Sequence, residues 1–127
     1  MRTSGIINTL LQEQISRLRH TDTFVVADAG LPLPEGTVEV DLAVVYGLPG
    51  FVPVLEAILA ETTVEGCLAA EEMDGSPAGS WIREHCGEVE TVPHEEFKRR
   101  CAGASFLVRT GENTPYANVI LRAGVPF

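Results

Sequence analysis

A length of 127 residues, a formal net charge of −9 and 45% apolar residues indicate a globular chain with one domain, residues 1–127. Nucleic acids and anionic membranes both bind clustered Lys and Arg, so the charge disfavours either as a partner. No apolar run approaches the ~20 residues of a membrane span, and the three cysteines are odd in number and lack metal-ligand spacing. We therefore expect a cytoplasmic protein that uses no metal or other cofactor.

Helical and extended patterns alternate along the chain. Leu10, Leu11, Ile15 and Leu18 recur at helical spacing, which predicts a first helix over residues 8–18. The other predicted helices cover residues 51–62, 76–86 and 95–104. The predicted strands cover residues 23–27, 38–46, 64–70, 89–92, 105–110 and 118–125.

This order of elements predicts an α/β fold, a single three-layer α/β/α domain. Strands separated by helices favour a parallel sheet, but the last two strands have no helix between them, so we expect a mixed, largely parallel sheet. Ligands of such sheets collect at the carboxyl ends of the strands. Two segments follow strand ends and are therefore candidates for a site: Asp28, after the strand at 23–27, and the loop RTGENTPYAN, after the strand at 105–110.

Asp28 directly follows the apolar run Phe24 to Ala27. An ionised carboxylate beside a buried strand is costly unless another group pairs with it or binds to it. One explanation is structural, since an Asp-x-Gly sequence often caps its own turn through backbone N–H groups. The other is that Asp28 binds a ligand. The sequence leaves both open.

Two of the histidines are candidates for proton transfer. His20 follows the first helix, where the helix dipole favours a cation, and it lies eight residues before Asp28, which allows the two to be close in space. His94 lies at a helix start, where a neutral, hydrogen-bonding imidazole is expected. Glu71 and Glu72 are unlikely to share a site, because adjacent side chains on an extended chain point in opposite directions.

The loop after residue 110 carries hydroxyl, phenol and amide groups at Thr114, Tyr116 and Asn118, around Pro115. Such groups bind the hydroxyls of a neutral, polyhydroxylated ligand, and an aromatic ring can cover its apolar face. An ordinary polar turn is the alternative. The chain has no GxxxxGK[ST], GxGxxG or GxSxG motif, so neither nucleotide binding nor a serine hydrolase is indicated.

The sequence also makes predictions about the thiols and the assembly. Cys67 is expected to be a small core residue, and Cys86 and Cys101 to be half-exposed thiols. The apolar stretch NVILRAGVPF at residues 118–127 suggests a subunit interface. We therefore predict a homo-oligomer whose site lies close to an interface.

Three stretches, HTDTFVVADAGLPLP (20–34), VPHEEFK (92–98) and RTGENTPYANVIL (109–121), closely resemble the D-ribose pyranase family of cytosolic sugar mutarotases. The similarity runs in order along nearly the whole chain. The sister family of L-fucose mutarotases carries Tyr-Gly-Asn where this chain has Tyr116-Ala117-Asn118.

The resemblance implies interconversion of the β-pyranose and β-furanose forms of D-ribose. It matches the general acid to His20, and it implies ring-shaped homodecamers that serve ribose uptake ahead of a kinase. The positions matched to sugar binding are Asp28, His94, Tyr116, Ala117 and Asn118. An L-fucose-type mutarotase, or a non-catalytic sugar-binding accessory of a ribose transport system, are the alternatives.

The implied reaction needs only proton transfer. Changing ring size requires opening the hemiacetal, rotation of the exposed aldehyde and closure through a different hydroxyl. An imidazole with a pKa near ~6.5 can give or take a proton at neutral pH, and a carboxylate such as Asp28 can hold a sugar hydroxyl.

Overall fold

Six strands form one mixed sheet in the computed structural model, which describes residues 1–127. The strands are β1 (Thr23–Ala27), β2 (Val38–Asp41), β3 (Val64–Ala70), β4 (Glu90–Val92), β5 (Phe106–Arg109) and β6 (Val119–Ala123). In the spatial order β2-β5-β1-β6-β3-β4, β6 runs antiparallel to both of its neighbours and every other pair is parallel. The predicted mixed, largely parallel sheet is confirmed.

Helices cover both faces of this sheet, so the predicted three layers are also confirmed. The helices are α1 (Thr9–Arg17), α2 (Phe51–Leu59), α3 (Pro77–Cys86) and α4 (His94–Cys101). Leu11, Leu55 and Ile82 of α1, α2 and α3 share one buried cluster. Phe97 of α4 belongs to a second cluster on the opposite face. None of the helices is long and apolar enough to cross a lipid bilayer.

The apolar run before Asp28 is explained by the position of β1 in the middle of the sheet. Phe24 and Val26 face the first cluster, and Val25 and Ala27 face the second. All four residues are fully buried, because a strand with helices on both faces needs apolar side chains on both. The strand therefore delivers Asp28 rigidly to the carboxyl edge of the sheet.

Several predicted elements end earlier than expected, and the helix predicted over 95–104, for example, ends at Cys101. The strand predicted over 38–46 ends at Asp41, whose side chain accepts a hydrogen bond from the N–H of Ala43 at 2.9 Å and turns the chain away. Residues 42–48 instead form a loop with an isolated bridge between Val45 and Leu48. The helix predicted over 51–62 ends at Leu59.

The predicted subunit interface was argued from the apolar stretch at residues 118–127, and for β6 that argument is wrong. β6 is not an edge strand but lies between β1 and β3, so its apolar side chains are buried within the chain itself. Within the predicted stretch, the large apolar side chain that is exposed is that of Phe127. Elsewhere, four exposed large apolar side chains are clustered in the loop 42–48, and others are scattered, among them Ile7 and Leu10. The four in the loop are Val44, Val45, Tyr46 and Leu48.

Two of the three thiols differ from expectation, whereas Cys86 is partly exposed as predicted. Cys101 is buried in the second cluster, and burial raises the pKa of its thiol to about 12, so it is not a half-exposed thiol. Cys67 and Cys86 are both half-buried. A hydrogen bond between these two thiols lowers the pKa of Cys67 and raises that of Cys86.

Candidate functional site

Asp28 and Asn118 form the centre of a polar cluster at the carboxyl edge of the parallel strands. Asn118, immediately before β6, accepts a hydrogen bond from the N–H of Asp28 at 2.8 Å and donates its amide to Asp28 Oδ2 at 3.0 Å. Asp28 Oδ1 accepts the N–H groups of Gly30 and Leu31, both at 2.9 Å. The turn cap that the sequence suggested is therefore present, and Asp28 also has a buried amide partner.

Two residues of the β5 end hold the Asp28 backbone in place. The buried guanidinium of Arg109 donates to the carbonyl oxygen of Asp28 at 2.9 Å and pairs with Glu39 of β2 at 3.0 Å. The Thr110 hydroxyl donates to the carbonyl oxygen of Ala27 at 2.8 Å. Asp28 is thus positioned by strands on both sides of β1.

His94 and Tyr116 form the aromatic side of the cluster. Their rings meet edge to face, with centroids 5.2 Å apart. His94 is the first residue of α4, and its backbone N–H donates to Glu72 at 3.0 Å. Glu72 belongs to a 3₁₀ helix, Glu71–Gly75, and not to an extended segment, so the assumed geometry of Glu71 and Glu72 is wrong. Glu72 caps α4, and the imidazole Nδ1 of His94 is buried without a partner.

Tyr116 has a backbone conformation that L residues seldom adopt, with φ at 63°. The chain on either side fixes this conformation. Ser76 donates its hydroxyl to the carbonyl oxygen of Pro115 at 2.6 Å, and Ala117 is fully buried in the core. A strained residue held in this way is typical of functional sites. Ala117, backbone included, is inaccessible to solvent within this chain.

Glu112 ties the loop after β5 to the start of α2. Its carboxylate accepts the N–H of Phe51 at 3.0 Å and the hydroxyl of Thr114 at 2.8 Å. Burial by itself would raise the pKa of Glu112, but these hydrogen bonds hold it below its usual value. The carbonyl oxygen of Glu112 accepts the N–H of Ala29 at 2.8 Å, which joins this loop to the Asp28 turn.

Two adjoining clefts open over this cluster. One of about 290 Å³ is lined by Asp28, His94, Lys98, Tyr116 and Asn118, among others. The other, of about 270 Å³, extends past Asp28 to Tyr46, Glu112 and Thr114. Carboxylate, amide, ammonium and phenol groups around an aromatic wall suit a small polyhydroxylated molecule. No group of three or more His, Cys, Asp or Glu side chains is arranged to hold a metal ion.

Four of the six predicted site residues line this cleft, namely Asp28, His94, Tyr116 and Asn118, whereas Ala117 is buried beside them and His20 lies elsewhere. His20 precedes β1 and Asp28 follows it, so the whole five-residue strand, about 16 Å long, lies between them. His20 does not interact with the end of α1, whose carbonyl groups receive hydrogen bonds from Arg19. Its Nε2 lies 3.0 Å from Oε2 of Glu65 in β3. Within one chain, His20 and Asp28 therefore lie at opposite ends of the central strand β1.

Several residues of this cluster were not identified from the sequence. Arg109, Glu112 and Glu72 act through contacts between segments distant in the chain, which no local pattern reveals. Lys98 was recognisable, because it lies four residues after His94 on a predicted helix and therefore on the same face.

Comparison with known proteins identifies the family to which the chain belongs. The model of the RbsD / FucU transport protein family matches residues 1–126. The chain is 53% identical over 127 residues to the D-ribose pyranase of Cutibacterium acnes, with 100% of both chains aligned. It is 52% identical over 129 residues to D-ribose pyranase 1 of Rubrobacter xylanophilus, again over 100% of both.

Solved structures give the same result. The fold matches that of Bacillus subtilis RbsD complexed with D-ribose, with a TM-score of 0.95, 41% identity and 100% of both chains covered. The fucose mutarotase of Streptococcus pneumoniae in complex with L-fucose shares the fold alone, with a TM-score of 0.81, 22% identity and 95% of both chains covered. The resemblance found in the sequence is confirmed, and the chain belongs to the RbsD / FucU family.

Proposed function

We propose that this chain interconverts the β-pyranose and β-furanose forms of D-ribose. The observation that carries the proposal is the Asp28–Asn118 pair, which lies in a cleft beside His94 and Tyr116. The fold around this cleft matches that of an RbsD protein complexed with D-ribose over the full chain. Relatives that share about half of the residues are D-ribose pyranases.

Each group has a role in holding the sugar. A carboxylate has about four lone-pair positions, and Asp28 uses three of them on Gly30, Leu31 and Asn118, so one is free for a sugar hydroxyl. Tyr116 offers a ring face or its phenol. The imidazole of His94 supplies a further hydrogen-bonding group, whereas Ala117 is fully buried beside Tyr116.

The reaction moves protons and one ring bond. A base removes the proton of the anomeric hydroxyl, an acid protonates the ring oxygen, and the bond from C1 to that oxygen breaks as the aldehyde forms. After rotation about a carbon–carbon bond, the C4 hydroxyl adds to the aldehyde and the protons return. We assign the acid to His20, because an imidazole can exchange protons at neutral pH.

His20 must reach the sugar from a neighbouring subunit, because in its own subunit it lies at the end of the strands away from Asp28. A contact between two different faces of neighbouring subunits is heterologous, and it closes into a ring when the rotation between the subunits allows it. This supports a homo-oligomer, of which the ring-shaped decamer implied by the resemblance is one form. The exposed apolar loop 42–48 adjoins the cleft through Tyr46 and suits such a contact. The composition of the chain supports a cytoplasmic location for the homo-oligomer.

The decisive experiment measures ring exchange directly. Saturation-transfer NMR on the anomeric signals of D-ribose, with and without the protein, should show faster exchange between the pyranose and furanose forms. EDTA should leave the rate unchanged. Unaltered exchange with ribose binding intact would favour a non-catalytic sugar-binding accessory, and far faster exchange of L-fucose than of ribose would favour a fucose mutarotase.

A further inference from the structure

The His20 side chain contacts the carboxylate of Glu65, and Arg122 contacts the other oxygen of the same carboxylate. Glu65 Oε2 lies 3.0 Å from Nε2 of His20, and Glu65 Oε1 accepts a hydrogen bond from Nε of Arg122 at 3.1 Å. Glu65 is on β3 and Arg122 on the adjacent strand β6. Each oxygen of Glu65 therefore has one partner, and the three side chains form a chain of contacts beside the start of β1.

We propose that Glu65 is a positioning residue that orients the His20 imidazole and determines which of its nitrogens carries the proton. The inference rests on the proposed function, in which His20 transfers a proton to the sugar. An ionised carboxylate can only accept hydrogen bonds, so Nε2 of a neutral His20 must carry the hydrogen. Nδ1 is then the nitrogen that exchanges a proton with the substrate.

The groups around Glu65 keep it ionised. The hydrogen bond from His20, together with Arg122, holds the pKa of Glu65 below its usual value. The other charged groups of the His20 turn are Arg19 and Asp22, and the Arg19 N–H donates to the Asp22 carboxylate at 2.8 Å. Glu65 is thus the carboxylate available to the imidazole ring.

The backbone that carries His20 is also fixed. Thr21 has a φ of 72°, a conformation that is rare for a β-branched residue, and its N–H donates to the carbonyl oxygen of Ala123 at 2.9 Å. Ala123 follows Arg122 on β6. The same strand therefore anchors both the turn that carries His20 and the arginine that holds Glu65, which sets the distance between imidazole and carboxylate.

Gly66 provides the space for the Arg122 side chain. A Cβ atom at residue 66 would lie 2.9 Å from Nη2 of Arg122, so an alanine there would displace the guanidinium from its place over β3. Gly66→Ala is therefore a way to disturb the Arg122–Glu65 contact while every charged group stays in the chain.

In the reaction, Glu65 leaves the overall proton balance unchanged. When His20 is the imidazolium, Nδ1–H gives its proton to the ring oxygen as the bond from C1 to that oxygen breaks. The hydrogen bond that Nε2–H of His20 donates to Glu65 is kept throughout. The carboxylate keeps Nδ1 directed away from β3.

The test compares the full-length variants Glu65→Gln and Gly66→Ala with the control Glu88→Gln. Glu65, Glu88 and Arg122 line a groove beside β3, and Glu88 is exposed there, so the control removes an equal charge from the same groove without touching His20. We expect Glu65→Gln to slow ribose exchange by about ten- to a hundredfold, the usual effect of losing a hydrogen bond to a charged group, with little change in ribose affinity. Gly66→Ala should be intermediate and Glu88→Gln unaffected.

A second readout does not depend on activity. The ¹⁵N shifts of the His20 ring, recorded well above pH 7 and assigned with His20→Ala, should show hydrogen on Nε2 in the unaltered protein. In Glu65→Gln the two tautomers should mix, because a glutamine side chain can donate or accept. The double variant His20→Ala with Glu65→Gln should be no slower than His20→Ala alone.

The outcomes separate this inference from the proposed function. Wild-type exchange in His20→Ala would remove His20 from the reaction, whatever Glu65 does. Slow exchange in His20→Ala with wild-type exchange and an unchanged tautomer in Glu65→Gln would overturn the positioning role alone. Equal slowing by Glu88→Gln would also overturn it, because the effect would then come from the charge of the groove and not from the contact with His20.

Discussion

Asp28 is both a turn cap and a group available to a ligand, and its two oxygens divide these tasks. One accepts two backbone N–H groups and the other accepts the Asn118 amide. The same bonds that satisfy the carboxylate also fix its direction. A sugar hydroxyl would therefore meet an acceptor that needs no reorganisation, which is how a preorganised site lowers the cost of binding.

Asp28→Asn is expected to weaken both sugar binding and fold stability. An asparagine has one oxygen, so its NH₂ must face either the Asn118 amide or the two turn N–H groups, and one of these is left unpaired. We expect a loss of about 1–3 kcal/mol in the free energy of unfolding and a higher dissociation constant for ribose. Urea unfolding and a ribose titration measure the two effects. Wild-type affinity would show that Asp28 is a cap only.

His20→Ala is expected to separate rate from stability. The His20 side chain is 54% exposed and its ion pair is at the surface, so its loss should cost at most ~1 kcal/mol of stability. Exchange of ribose should fall by ~10²-fold or more if His20 is the acid, with little change in affinity. Saturation-transfer NMR beside a ribose titration provides the measurement. Wild-type exchange would make His94 the better candidate.

At the level of elements, the site is held together by Glu112. Its carboxylate bonds to the first N–H of α2 and to the loop after β5, two segments that no strand pairing connects. α2 begins after Gly50, whose residue type offers no capping side chain. Glu112 therefore supplies from a distance the cap that the local sequence lacks, and it places negative charge at the positive end of the helix dipole.

This arrangement predicts a pH dependence of stability. The pKa of Glu112 in the folded state is below its unfolded value of about 4.3, so its stabilising contribution is complete above that value. The contribution is lost as the pH falls through the folded-state pKa. Glu112→Gln should lower the urea midpoint near pH 7 and have a smaller effect near pH 3, at equal protein concentration. The control Glu84→Gln, at an exposed carboxylate, should show no such convergence.

The elements that the sequence predicted well share one property. β1 and β3 have the predicted bounds, because each is a short apolar run between polar turns. The strand predicted over 38–46 failed because VEVDLAVVY stays rich in β-formers after the Asp41 turn has ended it. Composition alone does not reveal a side chain that turns the backbone.

In the site, too, residues within local motifs were predicted from the sequence, whereas contacts between residues far apart in the chain were not. The loop motifs identified Asp28, Tyr116 and Asn118, and the fold brings them together. The pairs that position the site join residues 70, 22 and 45 apart along the chain, and only the order and register of the strands determine them. These pairs are Arg109–Glu39, His94–Glu72 and His20–Glu65.

At the level of the whole molecule, the exposed apolar loop 42–48 is expected to lie in a subunit contact. Tyr46 is 81% exposed and Val45 is 61% exposed, which is costly for large apolar side chains that stay in water. Val45→Lys should therefore weaken association and lower exchange activity in proportion. Sedimentation velocity at micromolar concentration measures the oligomeric state, with Glu84→Lys as the surface control. A fully active monomer would contradict this role.

His20 and Asp28 lie at opposite ends of the strands. A pair of variants can therefore test whether two subunits share one site, which no single variant can. If each site combines His20 of one subunit with Asp28 of the next, His20→Ala and Asp28→Asn damage different halves of it. Co-expression of the two impaired variants in equal amounts should then give mixed oligomers in which about a quarter of the contacts join two intact halves. Ribose exchange should recover to about a quarter of the wild-type rate. If both residues served a site within one chain, every site in the mixture would carry one lesion, and no activity would return.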